Sequence, residues 1–213
     1  IVNYEDPSAP YFMEATQKNV YPFSTELKDL KKIEEYKGLF AKDIEESSTG
    51  IKFTLCDFSS KKEYGCELKL AGIFNVKNIL ASVLAVQRIT GLDIACIIEK
   101  LPLVKPVKGR MMLIDEGQDF EVLIDYAHTP SSFMTIFPSI KERIKKSGGK
   151  VISLFGSGGE RDVKKRPEQG RIAALYSDIV ILADEDPRGE DSVELLEMIA
   201  AGCPEKKRGE ELF

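Results

Sequence analysis

Histidine is almost absent from this sequence, cysteine is scarce and scattered, and no stretch of it stays apolar for long. The single histidine, His128, and four isolated cysteines, Cys56, Cys66, Cys96 and Cys203, contain no Cys-x-x-Cys pair. That excludes a zinc cluster of ordinary ligand spacing. The cysteines read as reduced thiols, mostly buried. The longest apolar run, around Ile179 to Ala183, falls far short of the roughly 20 residues of a membrane span. The first residues carry no signal-peptide pattern, so a cytoplasmic protein is expected. An excess of positive charge is missing too: 30 Lys and Arg stand against 35 Asp and Glu, a formal net charge of −5. Non-specific binding to nucleic acid or an anionic membrane is therefore not expected, and any basic site must be local. What remains is ordinary globular usage. The 213 residues are 43% hydrophobic and 31% charged, with 16 Gly and 10 Pro, enough for one large domain or two small ones. The chain opens on Ile1 and ends at Phe213, after a charged stretch that starts no visible element. It reads as a piece of something longer.

Alternating segments Gly50 to Cys56 and Tyr64 to Leu70 flank the polar turn Ser59-Ser60-Lys61-Lys62 and predict a β-hairpin. From Asn75 to Ile89, Val76, Ile79, Leu80, Val83, Leu84 and Val86 recur at helical spacing, and Gly91 stands where a left-handed cap would end the helix. A shorter helix is expected from Asp93 to Leu101. Pro102, Pro106 and Gly109 then form the sharpest composition break in the chain, and the domain boundary is placed there, giving residues 1–107 and 108–213. After it come Met111 to Glu116 and Phe120 to Tyr126 as strands, Ser131 to Lys146 as a helix, Val151 to Phe155 as a strand, Pro167 to Tyr176 as a helix, Ile179 to Ala183 as a strand and Ser192 to Ala201 as a helix. This cadence predicts an α/β unit whose mainly parallel sheet is covered by helices on both faces. Ligands of such sheets lie beyond the carboxyl ends of the strands.

The loops at those ends are the chemically loaded segments. Gly156-Ser157-Gly158-Gly159 with Arg161, Lys164, Lys165 and Arg166 can turn backbone amides and positive charge toward an anion, although a glycine turn with solvated lysines is the plainer reading of a lone G-x-G-G. Residues 141–170 nevertheless hold nine basic and four acidic groups on an acidic chain. The acidic loop Asp184 to Asp191 contains Arg188. Beside the cationic loop it could grip a zwitterion, with Arg161 and Arg188 on carboxylate and Asp186 on amine. Glu190 and Asp191 are explained as acids at a helix start. His128 follows a strand end close to Asp125, where structural and ligand-binding roles weigh about equally. Asn75 suits a helix cap, but Asn78 one turn on is not needed for one. A chymotrypsin-like reading of Ile1-Val2, His128 and the glycines fails because that fold is all β. A dinucleotide fingerprint departs from its pattern at the last position, where Arg161 stands instead of Gly, and stays the weaker alternative.

Five segments in order resemble the motifs of the Mur ligase family: Gly72-Ile73-Phe74-Asn75-Val76-Lys77-Asn78, Val107-Lys108-Gly109-Arg110-Met111, Asp125-Tyr126-Ala127-His128-Thr129-Pro130, Phe155 to Asp162 with Lys165-Arg166-Pro167, and Asp186-Pro187-Arg188. Asn3-Tyr4-Glu5-Asp6 is similar to that family's N-x-D-D segment. The Asp125 to Pro130 motif favours the MurE-type, tripeptide-synthetase branch. The resemblance implies the second half of a central ATPase domain followed by an incomplete Rossmann-like C-terminal domain. It also implies an ATP-dependent amide ligase of peptidoglycan precursor synthesis, which adds a diamino acid to UDP-MurNAc-L-Ala-D-Glu through an acyl phosphate. By resemblance, Asn3, Asn75 and Asn78 border adenine, Arg110 and Asp125 the ribose and phosphates, and His128 the nucleotide's closing face. Arg161 and Arg188 bind the incoming amino acid with Asp186 beside them. ATP and Mg2+ are the implied cofactors. The family's phosphate loop, its carbamylated lysine and its G-K-G-H-E segment do not occur in this sequence, so magnesium ligands are expected mostly elsewhere, no catalytic residue is assigned, and the fragment alone is not expected to catalyse.

The chain reads Glu185-Asp186-Pro187-Arg188 where enzymes adding meso-diaminopimelate typically carry D-N-P-R. An aspartate there attracts an ammonium group and repels a second carboxylate, which tilts the expectation from diaminopimelate, the family default, toward lysine or ornithine. Cyanophycin-synthetase-like and MurT-like ligases, or a non-catalytic nucleotide-binding module, are the alternatives. Asp186 is expected to have no basic partner of its own.

Overall fold

The computed structural model describes residues 1–47 and 50–213, with the backbone alone at residues 146 and 147, and divides into two compact units, Ile1–Asp125 and Tyr126–Phe213. Thr49, at the edge of the expected hairpin, lies outside the described residues. In the first unit, strands β1 (Val2–Asn3), β2 (Pro22–Ser24), β3 (Leu39–Ser47), β4 (Gly50–Asp57) and β5 (Lys62–Leu68) form one sheet in sequence order. β1, β2 and β3 run parallel, while β3–β4 and β4–β5 are antiparallel. The expected hairpin is β4–β5; β3, which extends it, was not read from the sequence.

Alternation buries Ile51, Phe53 and Leu55 of β4 and leaves Lys52 exposed, as a half-buried strand requires. Helix α1 (Ala9–Ala15) and helix α2 (Leu30–Glu35) precede β3, and α3 (Phe74–Thr90) packs on the sheet through Val76, Ile79, Leu80, Val83 and Leu84. Burying each such side chain stabilises the fold by about 1.5–3 kcal/mol. Gly91 ends α3 with φ +73°, and its N–H donates to Gln87 O at 2.8 Å, the left-handed cap expected from the sequence. Asp93 caps α4 (Ile94–Ile98), accepting from Ala95 N at 2.9 Å. Strands β6 (Met112–Ile114) and β7 (Val122–Ile124) form an antiparallel ribbon of their own.

In the second unit, β8 (Ile152–Phe155) and β9 (Ile179–Leu182) pair in parallel, with helices α5 (Pro130–Ser147), α6 (Lys165–Tyr176) and α7 (Ser192–Ala200). Thr129 and Ser132 form a reciprocal capping box at the start of α5, and Asp191 caps α7 through Val193 N and Glu194 N. α6 begins two residues before Pro167. Proline is tolerated there because the N–H groups of the first turn have no helical partner.

One expectation of the fold fails in this unit. The helices cover the face that carries Phe155, Val180 and Leu182, but Ile152 and Leu154 on the other face are 60% and 67% exposed. The charged C-terminal stretch forms no helix or strand, as expected, but its end makes isolated backbone bonds to β9: Val180 N donates to Glu211 O, Phe213 N to Val180 O and Leu182 N to Phe213 O. Its last residues therefore line up parallel to β9. Backbone pairing of this kind needs no apolar run in the added segment, which is why the charges hid it. Among the described residues no helix is long and apolar enough to cross a membrane.

Candidate functional site

The residues assigned to a nucleotide fall in the first unit, except His128. Asn3 ends β1, half-buried, and its Oδ1 accepts from Glu5 N at 3.3 Å. Asn75 and Asn78 stand one turn apart on the first two turns of α3, the helix that packs against β1. Asn75 Nδ2 donates to Ala71 O at 2.7 Å, and its Oδ1 accepts from Asn78 Nδ2 at 3.0 Å. Asn75 is thus committed to holding the helix start, whereas Asn78 is exposed and its Oδ1 accepts no hydrogen bond among the described residues. A carboxamide in that state can still offer an acceptor and a donor to the edge of a base.

One link in this region had no role in the sequence reading. Glu5, with a side chain only 6% exposed, binds Lys77 Nζ at 2.5 Å, and Lys77 lies between Asn75 and Asn78. Thr25 N and Thr25 Oγ1 also donate to Glu5, each at 2.7 Å. Burial pushes the Glu5 carboxyl up, and the bonds from Lys77 and Thr25, with the Lys77 charge, more than offset it and hold the group below its ordinary value. Across the ribbon, Asp125 Oδ2 accepts at 2.8 Å from the N–H of Met111, the residue next to the exposed Arg110. Met111 has φ +46°, an uncommon conformation for a non-glycine residue.

In the second unit His128 is exposed, its Nδ1 lies 3.1 Å from Tyr126 O, and its own carbonyl accepts from Lys165 Nζ at 3.1 Å. The loops after β8 and β9 are laced together. Gly159 N donates to Asp186 O at 2.8 Å, and a Cβ on Gly159 would lie 1.9 Å from Pro187 O. Only glycine permits that approach. Arg161 is exposed and, among the described residues, makes no hydrogen bond or ion pair. Asp186 and Arg188 are both exposed. Contrary to expectation, Asp186 does have a basic partner, because Arg188 Nε donates to its Oδ2 at 3.3 Å. Arg188 has φ +53°, in the left-handed region just past Pro187, within a turn that keeps it beside Asp186.

Arg166 corrects the reading of the basic loop. The sequence places it among the charges available to an anion, but its side chain is wholly buried and forks onto Glu190, Nη1 to Oε2 at 2.6 Å and Nη2 to Oε1 at 2.9 Å. Glu190 is therefore more than an acid at a helix start. Arg166, and then the donated N–H of Glu160, hold its carboxyl down to about 2. Adjacent charges suggested one shared anion site; a partner 24 positions away was not visible in local spacing.

Residues 1–86 match the family model of the Mur ligase middle domain, and residues 109–211 that of the Mur ligase glutamate ligase domain. The whole chain is 99% identical to 40% of a UDP-N-acetylmuramyl-tripeptide synthetase of Treponema denticola. Over 98% of its length it is 40% identical to a protein of the same description from Treponema pallidum, of which it covers 41%. A solved UDP-N-acetylmuramoyl-L-alanyl-D-glutamate–2,6-diaminopimelate ligase aligns over 99% of the chain and 41% of its own, at 25% identity and a TM-score of 0.55. The chain thus spans about two fifths of the length of the curated relatives it matches. Two consecutive family domains, matched in order on a mixed sheet followed by a parallel α/β unit, make the chain a member of the Mur ligase family.

Proposed function

We propose that the full-length protein joins a diamino acid to UDP-MurNAc-L-Ala-D-Glu in an ATP-dependent step of peptidoglycan precursor synthesis in the cytoplasm. The γ-carboxylate of the D-glutamyl residue takes the terminal phosphoryl group and becomes an acyl phosphate. The amine of the diamino acid attacks that carbonyl, the amide forms and phosphate leaves. Catalysis of this kind rests on positioning and charge neutralisation. In this reading Asn3, Asn75 and Asn78 border adenine, Arg110 and Asp125 the ribose and phosphates, and His128 also belongs to the nucleotide. Magnesium, when bound, neutralises phosphate charge, with ligands contributed mostly by other parts of the protein. The middle-domain portion is taken as residues 1–107 and the C-terminal portion as 108–213, on the strength of Pro102, Pro106 and Gly109.

The observation that carries the amino-acid assignment is the bond from Gly159 N to Asp186 O, which sets the loop of the exposed Arg161 against the loop of Asp186 and Arg188. An exposed pair such as Asp186–Arg188 contributes only about 0–1 kcal/mol, so a zwitterion can replace it at little cost. The substrate ammonium takes Arg188's place on Asp186, and the substrate carboxylate binds Arg161 and Arg188. A second carboxylate about 4 Å from Asp186 costs on the order of 1 to 4 kcal/mol, which favours lysine or ornithine over meso-diaminopimelate. The test is phosphate release by the full-length protein with UDP-MurNAc-L-Ala-D-Glu, ATP and each of the three amino acids, before and after Asp186→Asn. Lysine or ornithine should be preferred, and the substitution should narrow or reverse that preference. Diaminopimelate preferred from the start, or an unaltered ranking, removes Asp186 from selection.

A further inference from the structure

We infer that Arg166 and Glu190 are positioning residues: they touch no substrate, and they hold the Arg161 loop and the Asp186–Arg188 loop in the single arrangement that receives the amino acid. This rests on the amino-acid site proposed above. The two residues lie on different segments, Arg166 in the first turn of α6 and Glu190 just before α7. Arg166 is wholly buried, and both of its Nη atoms bond the two oxygens of Glu190. Nη2 also reaches Gly158 O at 3.4 Å. Glu190 in turn accepts from Glu160 N. One carboxylate therefore ties down the residue immediately before Arg161 and, on its own loop, lies two positions after Arg188.

Glu160 and Arg188 both adopt left-handed backbone conformations, φ +52° and +53°. Such conformations persist in non-glycine residues only where the surroundings over-determine them, and here the surroundings include this fork and the Gly159–Pro187 contact. A buried guanidinium cannot remain without its counter-charge, so the two loops must move together or not at all. The site's exposed charges, Arg161, Asp186 and Arg188, thereby hang on a frame whose rigidity comes from a pair they do not contact.

The decisive measurement is the separation of KM from kcat in the full-length protein carrying Arg166→Lys, which keeps the charge but loses the fork. Its Michaelis constant for the diamino acid should rise about tenfold or more, a modest consequence of misplacing binding groups by a fraction of an ångström. The constant for ATP should stay within about twofold. Glu190→Gln, which keeps the shape and one acceptor, serves as the second variant and covers the case in which Arg166→Lys does not fold. Equal losses for both substrates, or a lowered melting temperature with an unchanged amino-acid constant, would show the pair to be a stabilising staple and overturn the inference. Arg161→Ala in the same assay separates the two levels of argument. If it raises the amino-acid constant while neither pair variant does, the positioning role fails and the site stands. If it leaves that constant unchanged, the site itself is misplaced and the inference falls with it.

Discussion

Replacing Glu5 with glutamine probes the link between the strand that carries Asn3 and the helix that carries Asn75 and Asn78. The carboxylate accepts two bonds at 2.7 Å from Thr25 and one at 2.5 Å from Lys77, with its side chain only 6% exposed. Glutamine keeps the size and one acceptor, but in either orientation its NH2 group faces a donor. Hydrogen bonds to a charged group contribute about 1.5–3 kcal/mol and neutral ones about 1. Losing the Lys77 bond and weakening those of Thr25 therefore removes about 2–4 kcal/mol. Lys77 is 36% exposed and recovers some hydration, which favours the lower end. The assay is amide hydrogen exchange on the full-length protein at neutral pH, corrected for chemical exchange rates and read at Thr25 and the first turns of α3. At a factor of ten per 1.4 kcal/mol, exchange should accelerate roughly 30- to 700-fold. The pH dependence has a definite sign. A carboxyl held below its ordinary value of 4.5 contributes stability that is present above that value and lost as pH falls through the lowered one. The difference between the two proteins must therefore shrink on acidification. Unchanged exchange at neutral pH, or a difference that grows as pH falls, would refute the linkage.

Gly159→Ala places a methyl group 1.9 Å from Pro187 O, a backbone atom that can yield only if the loops part. A cost of about 1–3 kcal/mol is expected, seen as faster exchange confined to residues 156–162 and 184–191; unchanged protection there would mean that the approach is not needed. Among the cysteines Cys96 is exposed while Cys56, Cys66 and Cys203 are buried, and burial first of all pushes the Cys56 and Cys66 thiols up to about 11. One equivalent of alkylating reagent at neutral pH should go to Cys96, as peptide mass spectrometry would reveal.

Periodicity carried most of the fold. α3, with its glycine cap at Gly91, and β4, with its alternation, were legible because a single segment contains the whole signal, apolar spacing plus a terminator. β3 was missed although it is nine residues long, for its alternation is interrupted by a register shift between Lys42 and Glu45 and a left-handed Asp43. The strand-like pairing of residues 211–213 was invisible for a different reason. It is made by backbone groups, and Glu211-Leu212-Phe213 is too short to show any period.

Charges behave differently from apolar residues, because a charge declares its partner only once the chain has folded. Lys164, Lys165, Arg166 and Arg161 look alike in a basic loop, yet Arg166 is buried on Glu190, Lys165 bonds the carbonyl of His128, and Arg161 is left without a partner among the described residues. Glu190 and Asp186 likewise sit four residues apart in one acidic run, and only the first, half-buried, is forked by Arg166. The distinction follows from desolvation: a charge taken fully from water must meet its opposite, so the buried Arg166 was bound to find a carboxylate and the exposed charges were not. Sequence could therefore nominate the two loops, for which a zwitterion is the proposed occupant. Which charges remain for a ligand depends on which have already been used by the fold, and here the remainder is Arg161 with the loosely paired Asp186 and Arg188.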